Sequence, residues 1–440
     1  MRHRTMWAIA ASALVAVAAW PALVEHGVME ARAGAVSTPA PVKRDYERRD
    51  AFVAFWEGAV REHHASDLLS PRQLAGQYMQ RYREKGDIDD VVRAERMAER
   101  SLAIQPRNIA GNAEMASVML TLHRFREALG FVDRLVPYDP SGPEFLSQRA
   151  SLEMELGEYE RASATLSGIE PGKQNTVQAE TIRARLDELT GHLARARGLL
   201  EDASSQVDAI SDAPAESRAW YHFRAGELAF KAGDNEGAVK DEQDSLAIFP
   251  TYNLALKDLA KFELANRHYR KALDAALKGA QVTPFAETLG YEADAQAALG
   301  DAKHAAAARD LIFAIERIGN AYRVNDRLLA VYYADHRLRP ADALGIARRE
   351  AALRGNEIYA QDTLGWAAAM DDRWDEAQRA IAKATRYETE DSILEYHAGI
   401  IALHFGHAGE AKRRLQRALS LNPHFHPVFA DDARQILARP

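Results

Sequence analysis

The sequence predicts an all-α fold, a helical solenoid of about ten helix–turn–helix units closed by a C-terminal capping helix. Three observations carry that reading. An alanine recurs at Ala94, Ala128, Ala162, Ala196, Ala238, Ala272, Ala305, Ala343, Ala377 and Ala411, and six of the nine intervals are 34 residues, the length of one helix–turn–helix unit. Gly157, Gly191, Gly233, Gly300 and Gly406 fall between the two helices of their units, where a residue tolerating positive φ is needed. Pro106, Pro140, Pro250, Pro284 and Pro423 fall at unit ends, where they stop the second helix.

Taken in order, the chain opens with Arg2 and Arg4, an apolar run from Trp7 to Val24, and a small-x-small site at Ala31-Arg32-Ala33. Residues 1–33 are expected to be a signal peptide or, if kept, an N-terminal membrane anchor through residues 7–24, barely long enough to span a bilayer. Either version makes the remainder periplasmic or otherwise exported. Residues 34–43 read as a proline-bearing linker. A helical segment is expected over 44–74, with Phe52, Phe55, Trp56 and Val60 on one side and Ser70-Pro71 opening the next helix. The repeat array is placed at 75–424, with units starting near 75, 109, 143, 177, 219, 253, 286, 324, 358 and 392. Twelve residues before the recurring alanine stands a small or aliphatic residue in nine units: Ala116, Ala150, Ala184, Gly226, Ala260, Ala293, Val331, Gly365 and Gly399. Small residues at both places let paired helices approach closely. The longer intervals predict insertions near Ser204–Glu216 and Ile318–Val324, as extended loops or local breaks. Residues 425–440 are expected to form the capping helix, because a solenoid end otherwise leaves apolar surface wet.

This pattern resembles the tetratricopeptide repeat family over about residues 70–424, and SILEYHAGIIALHFGHAGEAKRRLQRALSLNPHF, Ser392 to Phe425, is the strongest single copy. The resemblance implies a right-handed superhelix whose concave face is built mainly from first helices, and a role in protein–protein interaction. Carried onto this chain, that geometry puts Tyr332, Trp366 and Ile400 in one row, His336, Met370 and His404 in a second, and Leu328, Asp362 and Tyr396 in a third. The implied partner-binding groove is therefore Tyr332, Asp335, His336, Tyr359, Asp362, Trp366, Met370, Tyr396 and His404. Exposed rings with polar neighbours would suit an extended peptide or a partner helix; the alternative is that these rings pack between helices, as aromatics at helical spacing commonly do. Family members that clamp chaperone C-terminal carboxylates use a lysine or arginine and an asparagine; Lys257 matches the first, but Lys261 stands at the asparagine position.

Composition narrows the function. A formal net charge of -8 argues against a nucleic-acid partner. With no cysteine, disulfides, thiolate metal sites and cysteine nucleophiles are excluded. No phosphate loop, His-Glu-x-x-His or Gly-x-Ser-x-Gly motif is present, so no catalytic residue, cofactor or enzymatic activity is predicted. The expected function is an exported scaffold or assembly factor binding a protein or peptide in the cell envelope. The alternative is a metal-binding or metal-handling protein using His397, His404, His407, His424 and His426, since His404 and His407 are spaced to bring two imidazoles together. No third ligand is evident, and no metal site is assigned.

Overall fold

The computed structural model describes residues 44–62, 66–322 and 327–439, so the expectations for residues 1–33 and 34–43 lie outside the described residues. A lead helix, α1 (Arg49–Glu62), precedes ten antiparallel hairpins. The first five are α2 (Leu69–Lys85) with α3 (Ile88–Ile104), α4 (Ile109–Thr121) with α5 (Phe125–Val132), α6 (Pro143–Glu155) with α7 (Tyr159–Ser167), α8 (Val177–Leu189) with α9 (Leu193–Asp208), and α10 (Ala215–Lys231) with α11 (Asn235–Ile248). The second five are α12 (Asn253–Ala265) with α13 (Tyr269–Val282), α14 (Ala286–Ala298) with α15 (Ala302–Tyr322), α16 (Arg327–Asp335) with α17 (Pro340–Arg354), α18 (Ile358–Met370) with α19 (Trp374–Ala384), and α20 (Ser392–His404) with α21 (Ala408–Leu421). α22 (Phe429–Leu437) closes the end as the cap. The fold is an all-α solenoid.

The recurring alanines are the points of closest helix approach: each is between 0% and 2% exposed. A methyl group fills the gap between the helices of a hairpin, and a longer side chain would overpack it. The turns are equally regular. Gly157, Gly191, Gly233, Gly300 and Gly406 all have positive φ, and His123, Arg267, Arg337 and Asp372 take the same conformation without glycine.

Measured from that left-handed residue, the recurring alanine lies five residues on in the second to seventh, ninth and tenth hairpins, but six on in the eighth, from Arg337 to Ala343. The eighth turn holds one extra residue, which corrects its register. The small residue buried in α16 is Ala330, fully enclosed, and not the half-buried Val331. Counted back from the turn, Asp335 rather than His336 aligns with Met370 and His404. Both insertions also differ from expectation, because they lengthen second helices: α9 continues to Asp208 and α15 to Tyr322.

The coil closes on itself after six hairpins. Thr283 Oγ1 donates to Lys85 O (2.8 Å), Thr389 Oγ1 to Leu189 O (2.6 Å), and Asn422 Nδ2 to Phe230 O (2.7 Å). Ile358 N donates to Tyr159 Oη at 3.0 Å, and Arg354 pairs with Glu155. These contacts recur at separations of 192 to 200 residues. Thr283, Thr389 and Asn422 thus cap carbonyls at first-helix C-termini one superhelical turn earlier, groups that no residue within the helix can satisfy. The N-terminal segment joins the same wall, with Asp45 Oδ1 accepting from Ala215 N at 3.1 Å, at the start of α10.

Candidate functional site

Successive first helices pack side by side from α10 through α20, forming a continuous wall. Its polar side chains meet across the interior. Lys231, at the end of α10, donates to Glu188 of α8 (2.7 Å) and to the Tyr359 hydroxyl of α18, and pairs with Asp391 at 3.1 Å. Arg224 donates to Glu188 at 2.6 Å. Burial alone would push the Glu188 carboxyl up, but Arg185, Lys231 and Arg224 together hold it well below the ordinary range. Tyr359 donates its own proton to Asp391 at 3.1 Å. This hub ties the fourth, fifth, ninth and tenth hairpins together.

A second cluster lies along α16, α18, α20 and the cap. Trp366 Nε1 donates to Asp335 Oδ1 at 2.7 Å, and its indole stacks on the His397 imidazole, centroids 4.2 Å apart and planes 12° from parallel. His397 Nδ1 bonds Asp362 Oδ1 at 2.9 Å. His336 is held from both nitrogens, with Nδ1 on Tyr332 O and Nε2 on Asp294 Oδ1, each at 2.8 Å. Tyr396 donates to Asp432 Oδ2 at 2.7 Å and stacks on Phe429 at 4.6 Å. His426 stacks on the same Phe429 ring at 4.0 Å.

Electrostatics follow from that geometry. Burial pushes the Asp335 carboxyl up to about 6, with His397 and His336 pulling against it. Burial lowers the His397 imidazole, but Asp362 and Asp335 outweigh it and the net shift is upward. His336 also rises: its bond to Asp294 outweighs desolvation. His426 goes the other way, to about 3, through burial and the positive charge of His336, His397 and Lys261. Its Nδ1 accepts from Val428 N and Phe429 N, both at 3.2 Å, which requires that nitrogen unprotonated.

The structure thus brings Tyr332, Asp335, His336, Asp362, Trp366 and Tyr396 into one cluster, assigns Tyr359 to the lysine hub, and leaves His404 apart. The rings are not the exposed surface considered from sequence. Tyr332, Trp366 and Tyr396 are 7%, 4% and 4% exposed, and Asp362 is 6% exposed, because the closed coil packs first helices tightly against one another and the cap. Asp335, His336, Tyr359 and Met370 are half-buried. His404 is exposed and stacks on Trp374 at 3.6 Å. Among the described residues no group of three or more His, Asp or Glu side chains is arranged to hold a metal ion. Lys257, 4% exposed, is spent on Asp258 at 3.1 Å. Sequence reasoning missed Asp294, Phe429 and the part played by His397. His397 could have been found, since it follows Asp362 by 35 residues, one repeat plus one. Asp294 carried no periodic signal, because it stands 42 residues before His336 with the lengthened α15 between them.

No family model matches the chain, and no curated protein matches it. Solved structures do. A human IFIT1 dimer with PPP-AAAA is 14% identical over 77% of each chain, with a TM-score of 0.49. TTC0263, a thermophilic TPR protein of Thermus thermophilus, is 19% identical over 42% of this chain and 93% of its own, TM-score 0.34. A tetratricopeptide repeat protein from Parabacteroides merdae is 17% identical over 54% of this chain and 93% of its own, TM-score 0.38.

Proposed function

We propose that this solenoid of tetratricopeptide-like hairpins is an exported binding protein, a scaffold or assembly factor of the cell envelope that engages a protein or peptide through the wall of its last three hairpins. One observation supports the reading above others: the half-buried Asp335 and His336 adjoin a buried aromatic cluster of Trp366, Tyr396 and Phe429, and the half-buried Met370 ends the helix that carries Trp366. Such a surface gives a partner's side chains apolar area together with the second carboxylate oxygen of Asp335. Binding rather than catalysis is the role proposed, in keeping with the missing catalytic motifs. Export is proposed from residues 7–24 and Ala31-Arg32-Ala33; among the described residues no helix is long and apolar enough to cross a membrane.

The test is a crosslinked pull-down from envelope fractions, comparing wild type with Met370→Glu and Asp335→Asn. Tyr332 and Trp366 are unsuitable probes because they are core. A protein recovered with wild type and lost with Met370→Glu is the expected result. Equal recovery from all three would move the binding surface elsewhere. Separately, fusing residues 1–43 to alkaline phosphatase should give activity only outside the cytoplasm; an inactive fusion would remove the export proposal.

A further inference from the structure

The seam that closes the coil follows one rule: the turn of a hairpin packs on the loop after the hairpin five units on. The first turn, at Gly86, takes Thr283, and the third, at Gly157, takes Asn356–Glu357. The fourth, at Gly191, takes Tyr387–Glu388, and the fifth, at Gly233, takes Leu421–Asn422. The sixth turn meets the cap, where Arg267 pairs with Asp431. For turns seven to ten the rule calls for hairpins that the chain does not have, and a Cβ on Gly300 or Gly406 would meet nothing within 4 Å. At the other end, the N-terminal segment fills the loops after the fourth and fifth hairpins, through Asp45 on Ala215 N and Tyr46 against the Phe249 ring at 4.6 Å. The loops after hairpins one to three have no turn five units earlier among the described residues.

Matched positions show what these two edges lack. Leu156 and Leu299 each stand immediately before the left-handed glycine of their turn, and they are 3% and 39% exposed. Ile358 and Ile109 each open the first helix of their unit, and they are 0% and 41% exposed. Ile358 is the one that donates across the seam, to Tyr159. Leu403, three residues before Gly406, and Tyr138, in the loop after the second hairpin, are exposed as well. A single exposed apolar side chain is ordinary. The same side chain at the same place of the unit, enclosed where the seam is filled and open where it is not, marks an unmade contact.

We propose that the two free edges are the halves of one interface, filled by a second copy of this chain docked head to tail. With the cap and α1 counted as one unit each, the rule sets the second copy's loops after hairpins one, two and three on the eighth, ninth and tenth turns. The connection after its α1 falls on the seventh. The new contact thus continues the seam already present within the chain, and it buries Leu299 and Leu403 of one copy and Ile109 and Tyr138 of the next. Such an interface is heterologous: every copy added leaves one edge of each kind free, so growth does not stop at two. The proposal does not rest on the partner-binding reading, and the substitutions that test it leave Asp335, His336 and Met370 in place, so either can fail without the other.

The experiment is sedimentation velocity of the full chain in a nonionic detergent, which keeps residues 7–24 of different molecules apart, over a wide range of protein concentration. The expected result is an average mass that climbs with concentration past that of two chains. Ile109→Glu spoils one edge and Leu299→Glu/Leu403→Glu the other; all three side chains are exposed, so helical circular dichroism should not change. Either variant alone should stay monomeric to a concentration about tenfold higher than wild type, or beyond. Mixed together, the intact edge of one variant meets the intact edge of the other, while the altered edges repel, and the mass should stop at two chains. A wild type that is monomeric throughout, a closed dimer, or assembly that persists in both variants, as association through residues 7–24 would, overturns the proposal.

Discussion

Trp366 shows what a repeat period tells about a single residue and what it does not. The 34-residue step places Trp366, Asp362 and Tyr396 on the first-helix face, and the structure finds them in one cluster. The step says nothing of how tightly the helices wind, which decides whether that face is wet. Trp366→Ala is therefore expected to cost about 3–5 kcal/mol in urea unfolding, as a core Trp does; a loss under about 1 kcal/mol would mean the ring is exposed. Asp335 gives a second residue-scale prediction. Its folded-state carboxyl, near 6, lies above the ordinary value, so the folded chain binds more protons than the unfolded one between about pH 4 and pH 6 and stability falls as pH rises through that window. His336 and His397, also raised, add stability that is present in mild acid and lost as pH rises through their folded values. His426 contributes with the opposite sign, since its depressed value makes acid below about 6.5 destabilising. Comparing wild type with Asp335→Asn isolates the first contribution: the variant should lose less stability between about pH 4 and pH 7, and parallel profiles would show that Asp335 is not held protonated.

At the scale of elements, most of the architecture is legible because hairpin packing depends on a few positions. Every recurring alanine is enclosed, and the predicted turn glycines take the left-handed conformation. The eighth hairpin escaped because its register was counted from Ala343, whereas the extra residue lies between that alanine and α16. The insertions escaped because Ser204–Asp208 holds no helix breaker and α15 runs on through Gly319 and Asn320, against their local preference, so that second helices lengthen outward without disturbing the wall. The cap was predictable in principle and its chemistry was not: α22 buries Phe429, Ala430 and Ala433 and supplies Asp432 to Tyr396. Ending the chain after Pro427 should therefore uncover Tyr396 and Phe425, cost about 3 kcal/mol or more, and speed amide exchange in α20 and α21 before the rest. Exchange unchanged in those helices would mean the cap contributes no stability.

The closure of the whole coil is the property the sequence hides most completely, because it joins residues about two hundred positions apart that share no local pattern. Its trace lies in glycines that already had a sufficient local reason. A Cβ on Gly157 would come within 2.3 Å of the Asn356–Glu357 backbone, on Gly191 within 2.9 Å of Glu388 O, and on Gly233 within 2.5 Å of Leu421 O. Gly300 and Gly406 have the same positive φ, yet a Cβ there would meet nothing within 4 Å, since among the described residues no later hairpin packs on those turns. The two sets separate local from global demand. Gly406→Ala should cost only the left-handed strain, about 1–2 kcal/mol. Gly157→Ala carries the same strain and also collides with backbone that cannot rotate away, so it should cost clearly more. The triple variant Gly157→Ala/Gly191→Ala/Gly233→Ala should spread the two superhelical turns. Small-angle scattering would then show a larger radius of gyration with helical circular dichroism retained, and the Ile358 amide, which donates to Tyr159 Oη across the seam, would lose its protection from exchange. Equal costs for Gly157→Ala and Gly406→Ala, with unchanged scattering from the triple variant, would mean that first-helix packing alone sets the winding and that the seam merely follows it.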